Sequence, residues 1–160
     1  MFGGTALKRS GSAALVTSAL TVLLSGCSEA PRPTMAVTVQ GTVTAEPGAT
    51  GPVRVGLYHA WSLEGELRHP LQFIEEFQTG PGGFSHAFDY PLDIGDGLVV
   101  YAWQDLDGDG VFCTPSFREE LAGLTEAAEF PADTVTVEIA LVRPCAGPDW
   151  FYPAPASAAQ

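Results

Sequence analysis

Four short segments of this chain alternate apolar with polar or small residues, and a fifth is apolar throughout. Alternation with a period of two places successive side chains on opposite faces of a β-strand, so each alternating segment predicts a strand with one buried face. Short strands separated by glycine and proline turns favour a β-sandwich. The predicted strands are Ala36–Ala45, Val53–Trp61, Gly83–Tyr90, Leu98–Gln104 and Thr134–Val142.

The strand pattern also predicts which side chains form the core. The fully apolar segment Leu98–Gln104 is expected at the centre of a sheet, covered on both faces. In the other four strands the residues aligned on one face are Val37, Val39 and Val43; Val53, Val55 and Leu57; Phe84, Phe88 and Tyr90; and Val135, Val137, Ile139 and Leu141.

One helix is predicted, beginning near Ser116. Ser116 and Glu119 match the S-x-x-E pattern of a capping box, and Leu121 and Leu124 supply an apolar side. The segment Leu67–Phe77 is ambiguous, because its apolar spacing fits either a pair of strands or a helical turn.

The N-terminus carries a secretory pattern. Basic residues precede an apolar run of about a dozen residues, which as a helix spans about 18 Å, too short for about 30 Å of hydrocarbon. Leu24-Ser25-Gly26-Cys27 follows this run. The stretch resembles the lipobox of bacterial lipoproteins, which implies a cleaved signal peptide over residues 1–26 and diacylglycerol on the Cys27 sulfur. An ordinary cleaved signal with an incidental cysteine is the alternative.

The lipobox resemblance implies a location and a domain organisation. It implies a cell-envelope protein anchored in the lipid bilayer through acylated Cys27. Ser28 stands where retention in the inner membrane usually calls for Asp, which favours the outer membrane in a Gram-negative cell. Residues 27–35 then form the lipidated N-terminus and tether, residues 36–152 the sandwich domain, and residues 153–160 a tail expected to be disordered.

The chain is strongly acidic, with 19 acidic and 7 basic residues and a formal net charge of −12. Residues 1–26 hold two of the basic residues and none of the acidic ones, so their removal leaves −14. Such a surface repels phosphate backbones, which excludes nucleic acid as an expected partner. Cations and ligands with a basic face are the natural counterparts, whereas a merely solvated acidic surface is the alternative for most of these carboxylates.

Two cysteines remain once Cys27 is assigned to lipid. In an oxidising envelope compartment Cys113 and Cys145 are expected to pair, and two free thiols are the alternative. Closing that loop stabilises the fold by about 3.7 kcal/mol in the chain-entropy model.

The strand sequences resemble those of prealbumin-like (transthyretin-like) β-sandwich modules. The resemblance rests on VTVQGTVTA, on PVRVGLY, and on FSHAF leading to LVVYAWQD. Related modules occur as carboxypeptidase regulatory-like domains and in bacterial envelope proteins. The resemblance covers roughly residues 36–142 and implies a single antiparallel β-sandwich, prealbumin-like or Ig-like, with the short helix inserted after the acidic loop.

The sharpest local motif is an acidic loop directly after the strand Leu98–Gln104. Asp105, Asp107 and Asp109 alternate with other residues in D-x-D-x-D-G, a pattern whose carboxylates wrap around a hard cation such as Ca²⁺. By the template of calcium loops, the backbone carbonyl of Val111 is the next ligand. Three neighbouring carboxylates repel one another without a cation, which favours a structural calcium site over a metal-free acidic turn or a catalytic carboxylate cluster.

The second half of the calcium template is missing. The ninth position is Cys113, and the twelfth, where an EF-hand carries Glu, is Ser116. A further carboxylate would have to come from Glu119 or Glu120 on the predicted helix, or from elsewhere in the chain. With that ligand missing, the expected calcium affinity is weak, about 10⁻⁴–10⁻³ M.

Aromatic residues and histidines are the remaining candidates for binding sites. Tyr58 and Trp61 are candidates for stacking on sugar rings, and an exposed Trp150-Phe151-Tyr152 trio would form a docking patch. A histidine metal site would require the three histidines, His59, His69 and His86, to converge; otherwise they are structural.

No catalytic residue is assigned, because the sequence holds neither a G-x-S-x-G elbow nor a phosphate-binding glycine loop. The sequence therefore predicts a membrane-anchored lipoprotein that acts as a non-catalytic binding or structural module, with an envelope protein or a glycan as partner. The alternatives are a carbohydrate- or peptidoglycan-binding module and a small metal-dependent hydrolase.

Overall fold

Eight strands and one short 3₁₀ helix make up the part of the chain that the computed structural model describes, residues 32–63, 66–92 and 97–151. These residues belong to one compact unit, Pro31–Gln160. The strands are β1 (Thr34–Thr44), β2 (Val53–Leu63), β3 (Glu66–Thr79), β4 (Gly82–Pro91), β5 (Gly97–Gln104), β6 (Leu121–Glu126), β7 (Thr134–Ala140) and β8 (Arg143–Pro144), and the 3₁₀ helix is Pro148–Phe151.

The strands form two sheets, which confirms the predicted β-sandwich. One sheet has three strands in the order β4-β1-β7, and the other has five in the order β3-β2-β5-β6-β8. Neighbouring strands are antiparallel except β1 and β7, which pair in parallel. All five predicted strands are present, and β1 begins at Thr34, two residues before the predicted domain boundary.

The core lies between the two sheets and uses the faces that alternation predicts. Every second residue of β7 is buried, for example, and the residues between them are exposed. The residues that fill the core are Val37, Val39, Val43, Val53, Val55, Leu57, Phe88, Tyr90, Leu98, Val100, Ala102, Val135, Val137, Ile139 and Leu141, with Phe84 half-buried against them.

Strand β5 is buried on both faces, as the sequence predicts. Its inner face belongs to the main core, and its outer face belongs to a second apolar cluster built on Tyr101 and Trp103. Phe112, from the loop after β5, and Phe151, from the 3₁₀ helix, pack against this cluster. The outer face of the five-stranded sheet is therefore partly covered by the two segments that follow β5 and β8.

The helix predicted to begin near Ser116 is wrong. Residues 118–120 have no regular structure, and Leu121–Glu126 is β6, which pairs with β5. The Ser116 hydroxyl bonds to the Thr114 hydroxyl at 3.0 Å, so it does not cap a helix. A helix of two turns is marginal by itself, and the backbone bonds that β5 offers to this segment outweigh its capping pattern.

The ambiguous segment Leu67–Phe77 lies within β3, at the edge of the five-stranded sheet. The pairing of β3 with β2 shifts register between Leu57 and Tyr58 and again between His59 and Trp61. These irregularities in β3 explain why its apolar residues do not keep a clean period of two.

Several predictions fall outside the described residues. The signal peptide, Cys27 and most of the tether lie in residues 1–31, and the predicted tail lies beyond Phe151. Nowhere in the described residues does a helix reach the length and apolar character needed to span a bilayer.

Candidate metal centre in the acidic loop

The acidic loop begins where β5 leaves the core, so its first aspartate is buried and the next two face solvent. Asp105 is 2% exposed, whereas Asp107 and Asp109 are exposed. Each of the three offers a carboxylate oxygen, and these oxygens lie within 4.8 Å of one another. The structure therefore brings together the three aspartates that the sequence singled out.

Backbone amides of the same loop hold the three carboxylates in place. Asp105 accepts bonds from the amides of Gly108 at 2.8 Å and Gly110 at 3.0 Å. Asp107 accepts from the Asp109 amide at 3.2 Å, and Asp109 accepts from the Val111 amide at 2.7 Å. Val111 thus contacts the cluster through its amide, while its side chain is 55% exposed.

Two glycines give the loop its curvature. Gly108 and Gly110 have φ angles of 76° and 75°, in the left-handed region that costs other residues free energy. Their amides are the two that bond to Asp105, so the turn conformation and the position of the buried carboxylate depend on each other.

Arg54 is the cation that the fold itself places next to the cluster. Its Nε lies 3.9 Å from Oδ2 of Asp105, and its Nη1 lies 3.1 Å from Oε1 of Glu76. The guanidinium also stacks over the Trp103 ring, 5.7 Å from the centroid. Because it partly neutralises Asp105, Arg54 weakens the negative electrostatic potential that would attract a cation to the site.

Glu120 is buried under the acidic loop and accepts backbone amides from both of its ends. Its side chain is fully buried, and its two carboxylate oxygens accept the amides of Leu106 at 3.3 Å and Cys113 at 2.6 Å. Burial raises the pKa of Glu120; the two amide bonds oppose that change, and the carboxylates of Asp107 and Asp105 add to it. Glu120 is not among the carboxylates that lie close enough together to share an ion, so it supports the loop rather than supplying the missing ligand.

The predicted disulfide is present and ties the end of the acidic loop to the segment after β8. Cys113 and Cys145 have Cα atoms 5.5 Å apart. Both adopt positive φ, 51° and 48°, which non-glycine residues keep only where their surroundings hold them. The Cys145 amide also donates to the carbonyl of Glu120 at 3.0 Å, so the crosslink and the buried carboxylate brace the same end of the loop.

Phe112 fixes the loop on the outer face of the five-stranded sheet. Its ring centroid lies 5.2 Å from that of Trp103 and 6.2 Å from that of Tyr101. The loop is thus held by an apolar anchor, a buried carboxylate and a covalent bond. This fixation reduces the entropy that ordering the carboxylates around an ion would cost.

The donor set fits a hard cation with incomplete coordination. Carboxylate oxygens are the ligands that Ca²⁺ prefers, but Ca²⁺ takes six to eight oxygens. Three aspartates leave several positions to water or to backbone carbonyls such as that of Val111. The geometry therefore agrees with a weak site.

Arg54 and Glu120 are the site residues that sequence reasoning missed or misassigned. Arg54 lies on β2, far from the loop in sequence, and only the β2–β5 pairing brings it alongside Asp105. The sequence offers Glu120 only as one of several alternatives for a further ligand, whereas the structure makes it a buried support of the loop. Its one sequence signal is its position directly before the apolar start of β6.

His59 and His86 have separate surroundings. His59 is buried and stacks on Tyr90, with centroids 4.7 Å apart. His86 stacks on Phe77 at 4.0 Å and bonds to Glu75 at 2.5 Å. The side chain of His69 lies outside the described residues. Among side chains that the structure describes, the aspartate cluster is the one group of three or more metal-ligating residues close enough to share an ion.

Tyr58 and Trp61 do not form one stacking stripe. They are three residues apart on β2, so alternation places them on opposite faces. Tyr58 is half-buried and meets Phe73 edge-on at 5.6 Å, whereas Trp61 is 53% exposed. Of the C-terminal aromatics, Phe151 packs against Tyr101 at 6.2 Å and Trp150 is 72% exposed; Tyr152 lies outside the described residues.

Comparison with known protein families, curated proteins and solved structures finds no match to this chain.

Proposed function

We propose that this protein is a lipid-anchored module of the cell envelope that binds or organises other envelope components without catalysis, and that its acidic loop takes up a calcium ion that rigidifies it. The observation that carries the calcium proposal is the convergence of the Asp105, Asp107 and Asp109 carboxylates within 4.8 Å. Three like charges at that separation repel one another, and a divalent cation between them removes the repulsion.

The way the loop is fixed supports a structural role for the ion. The disulfide and Glu120 hold one end of the loop, and Asp105 is buried at the other. An ion bound between these ends would stiffen the exposed middle, around Asp107 and Asp109. The outer face of the sheet would then keep its cover, because Phe112 belongs to the same loop.

The anchoring proposal rests on the Leu24-Ser25-Gly26-Cys27 motif and on the charge of the chain. The disulfide agrees with an oxidising compartment outside the cytosol. A strongly acidic domain is repelled by anionic lipid headgroups, so it would be held away from the bilayer surface and reach partners in the surrounding space.

The calcium proposal is tested by thermal unfolding of the full-length protein in nonionic detergent, with Ca²⁺ and with EDTA. For a dissociation constant near 10⁻³ M, about 10 mM Ca²⁺ stabilises the fold by about 1.4 kcal/mol, which raises Tm by several degrees. Asp107→Asn should abolish the rise, because it removes an exposed ligand without disturbing the core.

Glu119→Gln is the matched control for the calcium experiment. It removes one exposed carboxylate close to the loop in sequence, outside the aspartate cluster. We expect the variant to keep the calcium-dependent rise. A Tm that is the same in Ca²⁺ and in EDTA for the unmodified protein would remove the calcium site from the account.

A further inference from the structure

The outer face of the five-stranded sheet already holds two arginines on aromatic rings. The guanidinium of Arg54 lies over Trp103, 5.7 Å from the ring centroid, and that of Arg143 lies over Phe151 at 4.7 Å. A cation within about 6 Å of a ring face is attracted by the ring quadrupole. Arg143 also donates from Nη1 to the carbonyl of Trp150 at 3.1 Å, which ties Arg143 to the 3₁₀ helix that carries Trp150 and Phe151.

Three further aromatic residues extend this face outward, and we call them the aromatic rim: Tyr58, Phe73 and Trp150. Phe73 is 60% exposed and Trp150 is 72% exposed. Tyr58 is half-buried between Phe73 and the covered cluster, edge-on to Phe73 at 5.6 Å and to Tyr101 at 6.4 Å. The 3₁₀ helix that carries Trp150 packs against β3, the strand that carries Phe73.

Carboxylates flank the aromatic rim. Asp149 directly precedes Trp150 in the 3₁₀ helix, and Glu76 pairs with Gly56 of β2, two residues before Tyr58, which itself pairs with Phe73. Burial raises the pKa of Tyr58, and the carboxylates of Glu76 and Asp149 raise it further. Glu76 is also paired with Arg54 at 3.1 Å, so one acid links the rim to an arginine already bound on this face. A cation that approaches the aromatic rim therefore meets exposed aromatic rings and negative charge together.

We propose that the aromatic rim is a docking surface for an arginine-bearing segment of a partner polypeptide, whose guanidinium groups stack on Phe73 and Trp150 beside Glu76 and Asp149. Charge complementarity selects this occupant, because the chain without residues 1–26 carries −14 and no lysine. The two internal arginines show the same chemistry on the neighbouring rings.

This inference names a surface and a partner chemistry for the binding role proposed above, and it requires neither the calcium ion nor the lipid anchor. The experiment is therefore run in EDTA, so that failure of the calcium proposal leaves it unaffected. Full-length protein in an uncharged maltoside detergent is used, because cationic or zwitterionic headgroups would compete for the rings.

The probe is an acetylated, amidated peptide of sequence Gly-Arg-Gly-Arg-Gly, titrated by isothermal calorimetry. Its counterpart carries citrulline, a neutral isostere, in place of both arginines. We expect the arginine peptide to bind in the millimolar range or tighter and the citrulline peptide at least about tenfold more weakly.

Variants separate stacking on the rim from general attraction to an acidic protein. Phe73→Leu keeps apolar bulk but removes the ring, and we expect it to raise Kd by roughly 2- to 30-fold; Trp150→Leu should do the same. Leu92→Ala, at an exposed apolar residue after β4, is the matched control and should bind as the unmodified protein does.

Three results would overturn the proposal. They are no binding heat up to about 5 mM peptide, equal affinity for the arginine and citrulline peptides, and an unchanged Kd in Phe73→Leu and Trp150→Leu. The last result would mean that diffuse negative charge, rather than the aromatic rim, attracts the peptide.

Discussion

At the scale of single residues, the acidic loop depends on buried charged groups that hold its backbone in place in addition to any role in binding an ion. Asp105 and Glu120 are both buried, and each accepts two backbone amides. A buried carboxylate is tolerated only when its oxygens are bonded, so these two residues fix where the loop starts and ends. Arg54 adds a positive charge at the first of them.

The pH dependence of stability tests the role of Glu120. Burial raises its pKa in the folded protein, above about 4.3 for an unperturbed glutamate. Its contribution to stability is then fully present below the unfolded pKa and is lost as pH rises through the folded pKa. We expect the unfolding free energy of the unmodified protein to fall relative to that of Glu120→Gln as pH rises from about 4 towards neutrality.

Denaturant unfolding of both proteins in EDTA at a series of pH values measures that difference. EDTA keeps metal binding to the aspartates out of the comparison. A difference that is constant, or that grows in favour of the unmodified protein with rising pH, would mean that the amide bonds outweigh burial at Glu120.

At the scale of elements, period-two alternation was enough to find four of the eight described strands but not how the strands pair. The unbroken apolar run of β5 was a separate signal, whereas alternation located β1, β2, β4 and β7, because each has one face in a single core, where the spacing of apolar residues directly reflects burial. It did not find β6, because the buried Gly123 and Ala122 carry little apolar signal. It also could not reveal the parallel pairing of β1 with β7, since partner choice is set by contacts distant in sequence.

The acidic loop was predictable in part, because some of its contacts are local in sequence. The three aspartates are neighbours in sequence, so their convergence follows from local turn geometry and two glycines. Arg54 and the supporting role of Glu120 depend on strand pairing and on the packing of the loop against the sheet. The capping-box pattern at Ser116 misled because local preference was overridden by tertiary contacts.

The disulfide is the element-scale feature with the clearest energetic consequence. It closes a loop between residues 32 apart in sequence, which contributes about 3.7 kcal/mol in the chain-entropy model. We expect the double variant Cys113→Ser, Cys145→Ser to lose most of that free energy of unfolding, as measured by urea denaturation. Reduction of the unmodified protein should give a similar loss. A midpoint that neither change alters would mean that Glu120 and Phe112 hold the loop without the crosslink.

At the scale of the whole molecule, the protein is an acidic β-sandwich with one outer sheet face partly covered by its own loops. The loop that covers part of that face carries the proposed ion site, and the aromatic rim adjoins the apolar cluster that the loop covers. A surface of this charge favours cationic partners and disfavours nucleic acid and anionic membranes. Its proposed place is therefore the envelope space, joined to the bilayer through lipid on Cys27 rather than through the domain surface.

Metabolic labelling with radioactive palmitate tests that anchoring claim most directly. Cells that express the full-length chain are labelled, and the protein is isolated and compared with Cys27→Ala. We predict that label enters the unmodified protein, which sediments with membranes and lacks residues 1–26, and that Cys27→Ala takes up no label. An unlabelled protein in the cytoplasmic fraction with its first 26 residues intact would contradict the account.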